Sequence, residues 1–380
     1  MAFDPQRPYN DLPRLPPAPD IETRAILKRC TPARTALAEL RLAGELLPDE
    51  SVLINSISVL EAKDSSEIEN IVTTNDDLFR EVSLDQDGGN PATKEALRYR
   101  RALLEGFAAL KSRPLSTRLA IDVCQTIKGI ALDIRKTPGT TLKSSLNGGV
   151  VYTPPEGESR LRELLADWER YANTPSDIDP LVRMAVLHYQ FEAIHPFTDG
   201  NGRTGRVLNI LGLIQDGLLD FPSLYLSRHI LRTKADYYRL LAAVTTEGAW
   251  EPWILYMLEA VETTSRWTND KIRAIRRLME HTGAWVARAQ SHKIYSRDLV
   301  DVIFAKPYCR IVDLVDRGIA KRQSASVYLK ELVALGVMRE EKVGRDKVFV
   351  HERYLNLLQS DEHTFQLYFR SGADPVSVVQ

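Results

Sequence analysis

Between residues 21 and 282 apolar side chains recur every three to four positions, and the rhythm breaks at length only over residues 135–157. A chain patterned this way buries its apolar stripes only by packing helix against helix, so its body must be mostly α. The first helix is expected over 21–47, with Ile26, Leu27, Ala33, Leu37 and Leu40 at helical spacing, until Pro48 ends it. A second carries Leu53, Ile54, Ile57, Val59 and Leu60, and a short third starts near Asp64. After a Gly-Gly and Pro loop at 85–94, helices are expected at 93–111, 115–133, 158–172, 180–194, 202–216, 233–246 and 251–280. In the break, Thr141–Leu146 and Val150–Thr153 flank Asn147-Gly148-Gly149, a β-hairpin signal.

The ends differ from this body. Prolines at 5, 8, 13, 16, 17 and 19 make residues 1–20 an extended arm. Residues 293–356 read as three short helices (296–304, 309–316, 321–335) followed by the strands MREEKV and KVFVH, joined by Gly344-Arg345-Asp346. That order suggests a winged helix. Its 13 basic and 9 acidic residues over 293–353 leave a local charge of +4, whereas the whole chain carries only -1. No global field therefore draws the protein to nucleic acid or anionic lipid, and any such binding needs a local patch. No apolar run of about 18 residues is present, so no membrane partner is expected. Cys30, Cys124 and Cys309 lie far apart without CxxC spacing, which points away from disulfides and cysteine metal sites and toward a reducing cytoplasm.

The densest group of unusual residues is HPFTDGNGRTGR, 195–206. Pro196 disfavours helical geometry at His195, so a helix ends there and another begins near Asn201. A loop running into a helix N-terminus offers unpaired N–H groups and a positive dipole end, a seat for phosphate oxygens. Gly200 and Gly202 let the backbone approach a ligand closely, and Arg203 and Arg206 share one side of the first turns. The three glycines match G-x-G-x-x-G literally, but that fingerprint needs a preceding strand, and here a helix precedes it. No GxxxxGK[ST] loop occurs. A structural Asp-Gly-Asn-Gly turn with solvent-facing arginines is the plain alternative.

HPFTDGNGRTGR resembles, without departure, the signature HPFx[DE]GNGRxxR of the Fic family of AMP transferases. The resemblance implies a Fic-type helical bundle with a small β-hairpin flap, plus a C-terminal winged-helix (α+β) domain. It implies ATP as substrate and Mg²⁺ as cofactor. His195 would be the general base for a Ser, Thr or Tyr hydroxyl of a target protein, and Asp199 the metal carboxylate. Gly200, Asn201 and Gly202 would supply the anion hole, Arg203 and Arg206 would meet the β- and γ-phosphates, and Thr204 and Gly205 complete the ATP-binding set. Phe197 would pack beneath the loop. Val150, Val151, Tyr152 and Thr153 resemble the flap strand that pairs with the target, and Tyr237 and Tyr238 match a position near adenine. Either tyrosine equally fits the core of an amphipathic helix.

Ser65-Ser66-Glu67-Ile68-Glu69-Asn70 resembles the family's inhibitory motif [ST]xxxE[GN], with Ser65 and Glu69 on one helix face. A carboxylate bonded bidentately to Arg206 would remove the cation meant for the γ-phosphate. Ser66-x-x-Glu69 also fits an ordinary N-terminal capping box. The expected organisation is an arm (1–20), an inhibitory helical segment (21–84), a catalytic core (85–282), a winged helix (290–358) and a tail (359–380). The expected function is protein AMP transfer held in check by Glu69, with a homodimer as the expected assembly. The rival readings are AMP removal, with Glu69 positioning water, and a DNA-binding regulator that uses Lys321, Arg322, Lys330, Arg345 and Lys347.

Overall fold

The helical rhythm is realised in the computed structural model, which describes residues 3–45, 51–84, 90–143, 148–289, 294–343, 346–368 and 378–379. The N-terminal segment folds as α1 (Arg24–Glu45), α2 (Ser51–Ile68) and α3 (Asn75–Leu84). The core follows with α4 (Pro91–Leu110), α5 (Thr117–Lys128), the strands β1 (Leu142–Lys143) and β2 (Val150–Tyr152), α6 (Glu158–Asn173), α7 (Pro180–Ile194) and α8 (Asn201–Gln215). It ends with α9 (Leu226–Arg232), α10 (Lys234–Glu247) and the long α11 (Trp250–Arg288), so the expected border at 282 falls inside a helix.

Helices α7 and α8 lie at the centre. Along α7 nearly every side chain is buried, and two tryptophans fix its backbone from outside. Trp168 Nε1 donates to Leu187 O at 3.0 Å and Trp253 Nε1 to Ala185 O at 2.9 Å. Caps start and stop the neighbouring helices. Asn90 accepts from Thr93 N ahead of Pro91 in α4, Ser116 accepts from Leu119 N in α5, and Gly129 closes α5 in the left-handed region at φ 67°.

One expectation fails around Asp64. No helix starts there, because α2 runs unbroken to Ile68 and α3 begins only at Asn75. Glu61 and Asp64 are buried and satisfied, whereas the Ser66 hydroxyl is buried without a partner among the described residues. Glu61 accepts from Tyr99 OH and Ser227 N (both 2.8 Å), and Asp64 accepts from Tyr225 OH. Ser66 therefore stands in the last turn of α2, and the N-terminal capping-box reading is excluded. The hairpin is also shorter than expected: β1 pairs antiparallel with β2 as Leu142↔Tyr152 and Lys143↔Val150, and Asn147 lies outside the described residues.

The C-terminal module has the winged-helix order, with one strand more than the sequence suggests. It comprises α12 (Arg297–Ala305), β3 (Tyr308–Cys309), α13 (Ile311–Asp316), α14 (Arg322–Ala334), β4 (Arg339–Val343) and β5 (Asp346–Val350), with sheet order β3-β5-β4. The connection carrying Arg345 lies outside the described residues. The α15 helix (Glu352–Gln359) follows, and in the expected tail β6 (Phe365–Gln366) pairs with β7 (Val378–Val379). The module docks on the N-terminal segment: Tyr308 OH donates to Asp76, Asn55 Nδ2 to Ala305 O at 3.3 Å and Arg310 Nη1 to Leu84 O at 3.0 Å. Among the described residues no helix is long and apolar enough to cross a membrane.

Candidate active site

The loop between α7 and α8 is built as Pro196 dictates. His195 closes α7 through its N–H to Phe191 O (3.0 Å), and its backbone swings to φ 49°, the left-handed region that a non-glycine residue enters only at a cost. Asn201 holds the loop shut, its Oδ1 accepting from Phe197 N and its Nδ2 donating to Phe197 O, both at 2.8 Å. The Phe197 ring is buried under the loop against Phe191. Gly200 starts α8 at φ 86°, and a Cβ on Gly202 would stand 2.5 Å from Glu69 Oε1. The first turn of α8 is thus a bare backbone cradle with a carboxylate lying on it.

Arg206 is buried beside this cradle. Its Nε donates to Ser65 Oγ (2.8 Å), and its Nη2 donates to Ser65 O (2.9 Å) and Glu69 Oε1 (2.8 Å). Burial works against the guanidinium charge, yet the Glu69 carboxylate holds its pKa above the ordinary value. The pair uses one carboxylate oxygen, with Ser65 filling the rest of the fork, so the bidentate geometry expected from the sequence is not the one formed. Both inhibitory-motif residues grip the same arginine.

The other charges around the cradle are also paired. Arg203 Nη1 donates to Glu95 Oε1 of α4 at 2.6 Å, and Arg203 Nη2 lies 3.8 Å from Asp199 Oδ1. The Lys128 ammonium, at the end of α5, bonds Asp199 Oδ2 and lies 3.7 Å from Glu95 Oε1. Burial raises the Asp199 carboxyl, but Lys128 and Arg203 outweigh it and hold the group below the usual range. Asp199 is the one acid on the loop, and among the described residues no three His, Cys, Asp or Glu converge. A carboxylate that already carries a cation fits a hard metal ion completed by phosphate oxygens.

His195 keeps part of its surface open. Burial, then the Arg135 guanidinium, push its imidazole down to about 4, so at neutral pH it is a free base. Arg135 Nε donates to His195 O at 2.8 Å, and its Nη2 donates to Pro155 O just past the flap strand. Arg135 thus ties the histidine backbone to the flap. Sequence reasoning missed Arg135, Glu95 and Lys128. None lies in a motif, and only the position of Arg135 at the start of the non-helical break could have marked it.

Several expected contacts turn inward. Thr204 is fully buried, and Gly205 packs its Cα against His188 and Glu192 of α7, so neither faces a ligand. Tyr237 is core: its OH meets His188 Nε2 at 2.8 Å and its ring packs with Trp253 and Tyr256. Tyr238 is the exposed member of the pair, within the field of Glu69 and Arg206. On the flap, Val151 is exposed and Val150 half-buried, but Tyr152 OH donates to Ala193 O (2.8 Å) and Thr153 is buried. The arm covers this end: Tyr9 N donates to Thr153 O (2.9 Å), and the Phe3 and Tyr9 rings pack on Tyr152.

Comparison with known proteins matches three family models in order along the chain. They are the Fic/DOC family N-terminal model over 27–108, the Fic/DOC family model over 116–213, and the model of the protein adenylyltransferase SoFic-like C-terminal domain over 278–354. Protein adenylyltransferase fic-1 of Caenorhabditis elegans is 36% identical over 115 residues, 30% of this chain and 21% of that protein. Protein adenylyltransferase Fic of Drosophila melanogaster is 29% identical over 155 residues, 38% of this chain and 30% of that protein. The chain thus spans less than a third of the length of these curated relatives. Among solved structures, a Fic family protein from Desulfovibrio desulfuricans G20 shares the fold with TM-score 0.56 at 19% identity, covering 88% of this chain and 98% of that one. Fic-1 from C. elegans gives TM-score 0.51 at 22% identity over 64% and 71% of the two chains. With the signature loop, the cradle at the start of α8 and three successive family models agreeing, the chain belongs to the Fic/DOC family and carries a SoFic-like C-terminal domain.

Proposed function

We propose that this protein transfers AMP from ATP to a Ser, Thr or Tyr hydroxyl of a protein, itself included, and that Glu69 restrains the reaction. The observation that carries the reading is Glu69 lying on the α8 cradle while bonded to Arg206. The cradle and the arginine that a triphosphate needs are both taken by one carboxylate. When Glu69 leaves, the N–H groups of the first α8 turn and the two guanidinium groups receive phosphate oxygens. His195 accepts the proton of the attacking hydroxyl, the new bond forms from that oxygen to the α-phosphorus, and pyrophosphate departs. Mg²⁺, held by Asp199, would neutralise phosphate charge when bound. Val150 and Val151 offer the open part of the flap to an extended target segment.

The three cysteines are free and buried, which supports a reducing cytoplasm as the place of action. DNA is left out of the proposal because Lys347, the described basic residue of the wing named above, is already paired with Glu340 at 2.6 Å. The test is mass spectrometry of Glu69→Gly protein after incubation with ATP and Mg²⁺. A hydroxyl carrying AMP is expected, absent from the Glu69→Gly/His195→Ala double variant. Unmodified protein together with unmodified lysate proteins would refute the reading.

A further inference from the structure

Four charges close a ring at the mouth of the cradle: Glu95 and Arg203 at 2.6 Å, Arg203 and Asp199 at 3.8 Å, Asp199 bonded to Lys128, and Lys128 and Glu95 at 3.7 Å. The lysine is placed by more than its charge. It ends α5, where the helix dipole favours a cation, and its stem runs beneath the loop, a Cβ on Gly200 standing 3.4 Å from Lys128 Cδ. The Asp199 side chain stays 62% exposed while the Lys128 side chain is 21% exposed. The carboxylate thus stays open to solvent while the lysine is bonded to it. An ion pair this exposed adds little stability, and Asp199 already faces one cation in Arg203. What the second cation does is occupy the carboxylate.

We propose that Lys128 is a tethered cation occupying Asp199, which a divalent metal must displace, and that Glu95 receives the ammonium when it moves. The inference rests on Asp199 being the metal carboxylate. Two cations on one carboxylate repel, and an ammonium is a compact charge on a flexible stem, so it leaves by rotation. Glu95 Oε1 is already within 3.7 Å, and a short swing converts that approach into a hydrogen bond. Glu95 belongs to the segment matched by the Fic/DOC N-terminal model. The stretch matched by that model, 27–108, would then hold both exchange partners, Glu69 for Arg206 and Glu95 for Lys128. Lys128 sets how much metal the site requires before phosphate arrives.

The experiment titrates the full-length protein with Mn²⁺ alone, reading free Mn²⁺ by electron paramagnetic resonance, with no nucleotide present. Lys128→Met and Lys128→Gln should each tighten Mn²⁺ binding about fivefold, the upper range for an exposed ion pair. Lys136→Met, which removes an equal charge from the exposed pair with Glu158, should leave it unchanged. Asp199→Asn placed on Lys128→Met should abolish the gain, and Glu95→Gln should weaken binding by removing the second seat. Equal affinity in native and both Lys128 variants, undetectable binding in all three included, overturns the proposal, as does a gain that survives Asp199→Asn or is matched by Lys136→Met. None of these outcomes depends on AMP transfer. A failed transfer assay beside an Asp199-dependent gain would count against the proposed function and leave the displacement standing.

Discussion

Glu69→Gln removes one charge from the cradle and leaves the backbone of the last α2 turn unchanged. Arg206 is buried and holds three hydrogen bonds, two to Ser65 and one to Glu69 at 2.8 Å. A hydrogen bond between charged partners is worth about 1.5–3 kcal/mol, and a triphosphate reaching Arg206 in the native chain must first give that bond up. The Glu69 side chain is 33% exposed, so solvent screening places the term near the lower figure. That corresponds to about tenfold tighter productive ATP binding in the variant. Stability moves the opposite way. Arg206 loses the carboxylate that balanced its burial, and a loss of about 1.5 kcal/mol lowers Tm by about 2 °C in a chain of 380 residues. The assay pairs melting curves, with and without a non-hydrolysable ATP analogue, with transfer of label from α-labelled ATP. The variant should melt lower when free, gain more from the analogue than the native chain gains, and label faster. A lower Tm with no gain in analogue binding or labelling would make Glu69 a purely structural partner of Arg206 and refute the brake.

Three further outcomes follow from the same geometry. Because burial and Arg135 hold the His195 imidazole down to about 4, the acid limb of kcat/KM for AMP transfer should lie well below pH 6.5; a decline already under way at pH 7 would contradict the assignment. Burial raises the Glu192 carboxyl to about 8. The folded chain therefore keeps a proton there that the unfolded chain releases above its ordinary pKa of 4.5, so stability declines as pH rises toward 8, by up to about 1.4 kcal/mol per pH unit. Glu192→Gln should remove that decline, seen as a Tm advantage over the native protein that grows from pH 5 to pH 8. Deleting residues 1–10 strips Phe3 and Tyr9 from Tyr152 but keeps the buried Leu12 and Leu15. Amide exchange should accelerate in the flap at 150–153 while α7 and α8 stay protected, and unchanged flap protection would show that the arm does not hold it.

What the sequence revealed and what it hid divide along physical lines. Periodicity located the outer helices because each buries one stripe, and Pro196 and Gly200 marked the loop because backbone geometry there admits few residues. The pairing of Ser65 and Glu69 with Arg206 was legible through the family resemblance, which placed the two residues one helical turn apart. No helix starts near Asp64 because Glu61, Asp64 and Ser65 lie within one buried helix, where Tyr99, Ser227, Tyr225 and Arg206 satisfy them. Thr204, Gly205 and Tyr237 were assigned to the ligand by their place in a motif. A helix at the centre of a bundle sends half of any such motif inward.

Glu95, Lys128 and Arg135 were invisible for a different reason. Each is an ordinary charged residue on or beside an amphipathic helix, and its meaning arises only from what stands opposite across the fold. In the resting pocket Arg206 is met by Glu69, Arg203 by Glu95, and Asp199 by Lys128. The groups that a metal–triphosphate would engage are therefore engaged already. For the buried Arg203 and Arg206, occupying such a pocket is an exchange of partners in a low-dielectric space, where an unpaired charge is costly and a paired one is nearly neutral. Two of the three internal partners, Glu69 and Glu95, come from the segment matched by the Fic/DOC N-terminal model, and Lys128 sits at the end of α5. A movement of α2 and α4 relative to α8 would free both arginines together, whereas Lys128 needs only to turn about its own stem. On the proposed reading the fold would separate two controls on one cradle, a segment shift that frees the phosphate sites and a side-chain rotation that frees the metal site.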